Sequence, residues 1–434
     1  MALPQEIYDL IVAEVAIEDY NSATLCACAK ASRVLLYPVY HLLFSHIRLT
    51  ITTQNDSKVR DFISLLWDSL LSPDISIASY IRRFDLSITL PKSDDRPNLP
   101  DSELWKVLNN FTRVEHLKVS SLHFKLSFET HQCFLSRDFV DLCHSPTLSK
   151  ISLSNFTDVP ADLFHSCINH IGLSEVNFAH YPSEHRPCLP QPESIDVDFH
   201  SSFTFALAIF DHLFSHRQEV LCRLRTLDIR HSCFWGLSPF FTILAKAASD
   251  TLETLSLNIK SQIPTVKSAS GDLKYFFHPF SRLRILRLFF TEMMLPPRAQ
   301  TCLVDPLTSF LNLSTFPTSL QTLDICINSP VSVDTHYVIK CRCGPSKRTD
   351  CWRRLDSVLA NPQIAAVPTL RLLLNFVVSP AYSTTDRREF VARTREGVQD
   401  DLPVFCQTRS LTGQLHVSCS DSISGSPFHF AELW

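Results

Sequence analysis

The sequence predicts an α/β chain: a parallel sheet assembled from repeated strand-helix units, preceded by a small helical unit. Three observations carry this expectation. One apolar pattern (apolar, two residues, apolar, one residue, apolar) returns at intervals of 25 to 51 residues. The first 45 residues lack that pattern and show helical spacing instead. Glycine occurs only 7 times in 434 residues, against a usual share of about 7%. Dinucleotide-binding turns, phosphate-binding loops and nucleophile elbows all need closely set glycines, and none is present.

The N-terminal unit, residues 1–45, reads as three helices. Pro4 suits a first helical turn, where its missing N–H is not needed. Ile7, Leu10, Ile11 and Val15 then share one face. Asp19 to Ser22 is a polar break. Leu25, Cys28 and Ala29 open a second helix, and Ser32-Arg33-Val34-Leu35-Leu36 a third, which Pro38 is expected to interrupt.

Residues 46–434 carry the repeat. Its triplets are Phe44-Ile47-Leu49, Ile81-Phe84-Leu86, Val114-Leu117-Val119, Leu148-Ile151-Leu153 and Leu173-Val176-Phe178. They continue as Leu224-Leu227-Ile229, Leu252-Leu255-Leu257, Leu283-Leu286-Leu288 and Leu320-Leu323-Ile325. The last two apolar positions are two apart, as in a strand with one buried face. Near Leu370 two registers fit, and Leu415-Val417 supplies a last rung. About nine to eleven parallel strands are expected. The intervals leave room for helices. Ser57 is a candidate N-cap before Phe62, Leu65 and Leu66, and Trp352, Leu355 and Leu359 lie on one helical face. A helix over 386–402 and a strand over 414–419 complete the chain.

A single strand-helix unit cannot bury its own apolar face, whereas stacked units can. The residues alternating with the buried ones then line a mixed polar row. Lys118, Asp228, Arg230, Arg287 and Asp324 are its candidate partner-binding members. Such a row suits a protein partner. Lys+Arg 40 against Asp+Glu 44 gives a net charge of −4, which excludes a globally basic nucleic-acid binder.

Chemistry-bearing motifs are scarce. No His-Glu-x-x-His and no Cys-x-x-Cys occurs. His336, Cys341, Cys343 and Cys351 cluster, but Cys-x-Cys is tighter than structural zinc spacing, and Lys340, Arg342, Lys347 and Arg348 mark an exposed basic loop. No catalytic set, metal or cofactor is expected. Glu6, Asp9 and Glu14 do not fit a signal peptide, no stretch reads as a membrane span, and 15 scattered cysteines fit reduced thiols. A cytoplasmic or nuclear location is expected.

The repeat resembles the leucine-rich repeat, which opens L-x-x-L-x-L, with irregular periods and no Asn at the usual turn position. The N-terminal order Leu3-Pro4-x-Glu6-Ile7, a small-residue helix, then Ala31-Ser32-Arg33-Val34 and the tail YHLLFSHIRL, resembles the F-box of proteins abundant in fungi. The tryptophan that often follows the third helix is absent; Tyr37, Tyr40 and Phe44 are the candidates for its packing role. The resemblance implies a receptor subunit of a cullin-RING ubiquitin ligase, with the F-box on a Skp-type adaptor and the repeats, their parallel sheet on a concave face, holding a protein target. Leu3, Pro4, Ile7, Ile11, Leu25 and Val34 are then the adaptor-facing candidates, some of which must pack the small core instead.

Overall fold

The computed structural model describes residues 4–18, 23–52, 56–71, 77–89, 103–122, 125–128, 137–160, 163–164, 166–178, 191–199, 221–231, 238–260, 277–291, 304–330, 345–377, 383–408 and 415–420. The chain divides into two units, Met1–Pro192 and Glu193–Trp434. Twelve strands run in parallel ladders with helices between them, five in the first unit and seven in the second.

The first unit opens with α1 (Gln5–Glu18), α2 (Ala23–Ala31) and α3 (Arg33–Phe44). Their core is Val12, Leu25 and Val39, with Val15, Cys28, Ala29, Leu35, Tyr40 and Leu43 packed around it. The inward face of α1 is therefore centred on Val12 rather than on Ile7, Leu10 and Ile11. Pro38 is buried within α3, and the helix continues through it to Phe44. Its cost is the one bond that its missing N–H would have made to the Val34 carbonyl, four residues back.

The strands are β1 (His46–Thr52), β2 (Arg83–Thr89), β3 (His116–Ser121), β5 (Lys150–Ser154) and β7 (His170–Ser174). Two short strands, β4 (Leu126–Ser127) and β6 (Phe156–Thr157), pair separately. In β7, Ile171 pairs with Ile151 and Leu173 with Leu153. The triplet here is thus Ile168-Ile171-Leu173, five residues earlier than the sequence pattern placed it. Glu175 has left the strand with φ 55°, and its carboxylate meets Lys125 at 2.8 Å.

The helix Asp56–Leu71 covers the first strands with Val59, Ile63 and Leu66 buried. Leu65 is outward, so its apolar face is turned from the one the sequence suggested, and Ser57 lies inside the helix rather than at its cap.

The second unit holds β8 (Ser194–Phe199), β9 (Thr226–His231), β10 (Thr254–Lys260), β11 (Ile285–Thr291), β12 (Thr322–Pro330), β13 (Thr369–Val377) and β14 (Leu415–Ser420). β8 lies in the longest interval of the sequence pattern and buries Ile195 and Val197. Leu370 pairs with Leu323, which settles the register of β13. The helix Pro345–Leu359 buries Trp352, Leu355 and Leu359, as their spacing predicts, and takes in Lys347 and Arg348, expected in a loop. The helix Thr384–Asp401 buries Phe390, Thr394 and Val398 before β14, close to the bounds expected.

One hydrogen-bond device recurs. The carbonyl of the residue after the first apolar position accepts two successive N–H groups of the next rung. Ser45 receives Arg82 and Arg83, Arg82 receives Glu115 and His116, and Glu115 receives Ser149 and Lys150. In the second unit Glu193, Arg225, Glu253 and Arg284 each do the same. Equivalent positions thus make equivalent bonds despite unequal intervals.

Asp356, 4% exposed, ties two helices together. Its carboxylate accepts the Val404 N–H at 3.0 Å and the Phe405 N–H at 2.7 Å, at the start of the helix Pro403–Thr408. Early helical N–H groups have no partner within their own helix. Asp356→Ala is expected to destabilise the second unit by about 2 to 4 kcal/mol, two charge-assisted bonds being lost inside the protein, and Asp356→Asn by less. Urea denaturation of both variants checks this.

Candidate functional site

Strand alternation sends every second residue to the face opposite the apolar triplets. Pairing aligns these residues in rows across the strands. In the first unit one row reads His46, Arg83, His116, Lys150, His170. The next reads Arg48, Asp85, Lys118, Ser152, Gly172, and the third Thr50, Ser87, Ser120, Ser154, Ser174. Asp85 is the only acid among them. It meets His46 at 2.9 Å, Arg83 at 3.0 Å and Arg48 at 3.9 Å. Burial pushes its carboxyl up, but the hydrogen bonds and charge of Arg83 and His46 outweigh that and hold it below the ordinary range. Lys118, a predicted partner-binding residue, stands exposed in the second row. At Gly172 an added Cβ would lie 2.7 Å from the Ser152 hydroxyl; the absent side chain makes room for that hydroxyl.

The second unit presents different chemistry. Its central row reads Asp196, Asp228, Ser256, Arg287, Asp324, Arg371. Arg371 grips Asp324 with two nitrogens, at 2.6 and 2.8 Å, and Arg287 approaches the same carboxylate at 3.5 Å. Two of the predicted partner-binding residues, Arg287 and Asp324, are therefore joined in one cluster with Arg371. A second polar row links Asn328, Asn375 and Ser418 through hydrogen bonds of 3.1 Å. Asp228 and Arg230, also predicted, pair at 3.4 Å. Burial raises the Asp228 carboxyl to about 7, with Asp196 and Asp198 adding to the rise and Arg230 opposing it. Its Oδ1 has no hydrogen-bond partner.

The third feature lies on the helices. Ile7 is 40% exposed, Leu10 66% and Ile11 46%, and their spacing sets them along one stripe of α1. On α3, Val34 is 45% and Tyr37 54% exposed. Pro4 is exposed and its carbonyl accepts the Ile7 N–H at 3.1 Å. Leu25 is among the residues that the core takes, at 5% exposure. Leu3 lies outside the described residues. Tyr37 packs edge-on against Tyr80 at 5.4 Å, and Tyr40 meets Phe44 and Tyr80 at 5.3 and 6.0 Å. These aromatics fasten α3 to the turn before β2.

Sequence reasoning missed Arg371, because the register of its strand was open, and Asp196 and Asp198, because β8 went unseen. The triplet Leu173-Val176-Phe178 expected from the sequence would put the alternating residues Glu175 and Asn177 on the polar face, where the pairing puts His170, Gly172 and Ser174. Of the His/Cys cluster, His336, Cys341 and Cys343 lie outside the described residues, and Cys351 is buried. Among the described residues no group of three or more His, Cys, Asp or Glu is arranged to hold a metal ion, and no helix is long and apolar enough to cross a membrane. No family model and no curated protein matches the chain.

Asp228 gives a pH-dependent prediction. Its folded pKa of about 7 lies above the ordinary value of 3.8, so the native state keeps a proton that the unfolded chain has released. That contribution is fully present below the ordinary value and is lost as pH rises to about 7. Asp228→Asn, isosteric and always neutral, is expected to melt higher than the parent at pH 8. The gap should be on the order of 1 to 3 kcal/mol and should shrink toward acid pH. Thermal melts of both proteins across that range check it.

Proposed function

We propose that this chain is the substrate-recognition subunit of a cullin-RING ubiquitin ligase of the SCF type. In this reading α1 to α3 are an F-box that docks a Skp-type adaptor. The strand-helix units are irregular leucine-rich repeats stacked as a solenoid, and their polar sheet face holds a protein target. The chain itself performs no chemistry. Its contribution is positional: a target held beside the ligase's reactive end experiences a high effective concentration.

The observation that carries the proposal is the apolar stripe Ile7, Leu10 and Ile11, left exposed beside a helical core that is already complete without it. Exposed apolar groups set together on a small unit mark an interaction site. The repeated rungs behind it supply the surface a receptor needs. The order of the Leu-Pro start, the small-residue helix and Ala31-Ser32-Arg33-Val34 supports the same reading.

Ile7→Asp with Ile11→Asp is expected to abolish adaptor binding, by about a hundredfold or more, since a charge would be buried against an apolar partner. Both residues are exposed in the chain alone, so its melting temperature should stay within about two degrees of the parent, as surface substitutions do. Val12→Asp, in the core, should instead unfold the helices. Adaptor pull-down beside thermal melts reads all three. Unchanged binding by a folded Ile7/Ile11 variant would remove the ligase role and leave a repeat scaffold with a helical cap.

A further inference from the structure

The polar face of the first unit carries charge opposite to that of the chain. Four cations (Arg48, Arg83, Lys118 and Lys150) stand there against one carboxylate, Asp85. The whole chain is at −4. Asp85 is engaged by Arg83, Arg48 and His46, whereas Lys118 and Lys150 have no carboxylate partner among the described residues. Histidines at 46, 116 and 170 complete the first row.

We propose that this face binds an extended acidic segment of a partner protein, its carboxylates lying along the His46-Arg83-His116-Lys150-His170 row. Adjacent strands are about 4.8 Å apart, so five strands span about 19 Å, the length of roughly six extended residues. One basic group per strand matches single carboxylates spread along a chain better than one concentrated dianion. A long polyanion fits less well: the basic surface ends within one unit, and the second unit's face carries Asp196, Asp198, Asp228 and Asp324. The inference rests on the receptor reading only for the target's role; the charge argument stands without the adaptor.

The row also responds to pH. Burial lowers His116, with Lys150, Arg83 and His170 acting in the same direction and Glu115 opposing them. A carboxylate arriving beside it favours the imidazolium, so binding tightens as pH falls.

The test is fluorescence anisotropy of a fluorescein-labelled peptide of alternating Glu and Ser with the full chain at low salt. Saturable binding is expected, weakened by salt and tighter at pH 6 than at pH 8. Lys118→Glu with Lys150→Glu should weaken it at least about tenfold, the double Arg variant should restore it, and Arg284→Glu in the second unit should leave it unchanged. Equal binding of the Gln counterpart, no loss in the Glu variant, or tighter binding of a single-stranded oligonucleotide would overturn the proposal. Adaptor pull-down on the same samples separates the two readings. Peptide binding without adaptor binding sinks only the ligase role, and the reverse sinks only the acidic-segment site.

Discussion

The rungs of this protein depend on their neighbours for the burial of three apolar side chains, and most of them on one backbone carbonyl that accepts two N–H groups from the next rung. Leu252, Leu255 and Leu257 are sealed between the equivalent residues of the strands on either side. The Arg225 carbonyl receives Glu253 and Thr254 at 2.8 and 2.9 Å. Burying one such side chain contributes about 1.5 to 3 kcal/mol, so a register slip of one residue, which would turn all of them to water, is strongly disfavoured. The spacing between rungs can vary because the register is set within the triplet and not by the loops.

The locked register decides what the polar face becomes. It stacks His46, Arg83, His116, Lys150 and His170 in one row and Arg287, Asp324 and Arg371 in another. Residues tens of positions apart are brought to neighbouring strands without any local motif. In the second unit most of the charge is satisfied internally, with Asp324 held between two arginines. In the first, one aspartate serves three basic groups and two lysines are left over. The same scaffold therefore presents a largely self-paired face in one unit and a face with two uncompensated lysines in the other.

Much of this was legible because the triplet is a strict local pattern. Ile81-Phe84-Leu86 or Leu320-Leu323-Ile325 admits one strand register, and Trp352, Leu355 and Leu359 admit one helical face. Legibility failed where apolar residues were too many or too few. Ile168, Leu173 and Val176 offer two overlapping triplets, and only pairing with Ile151 and Leu153 selects the earlier one. The triplet that leads into β8 begins with Pro192, in the slot that an aliphatic residue or Phe44 fills elsewhere. In α1, apolar residues at 7, 10, 11, 12 and 15 cover most of the helix, so no periodicity could say that Val12 is inside and Ile11 outside. That division, on which the docking proposal turns, is set by packing against α2 and α3.

The central claim is that the outward stripe of α1 exists to be covered. Hydrogen-deuterium exchange of the full chain, with and without a purified Skp-type adaptor, tests it most directly. The account predicts added protection of backbone amides over residues 5–11 and at the start of α3, with exchange in β10 to β12 unchanged. Identical exchange in α1 with saturating adaptor present would contradict it.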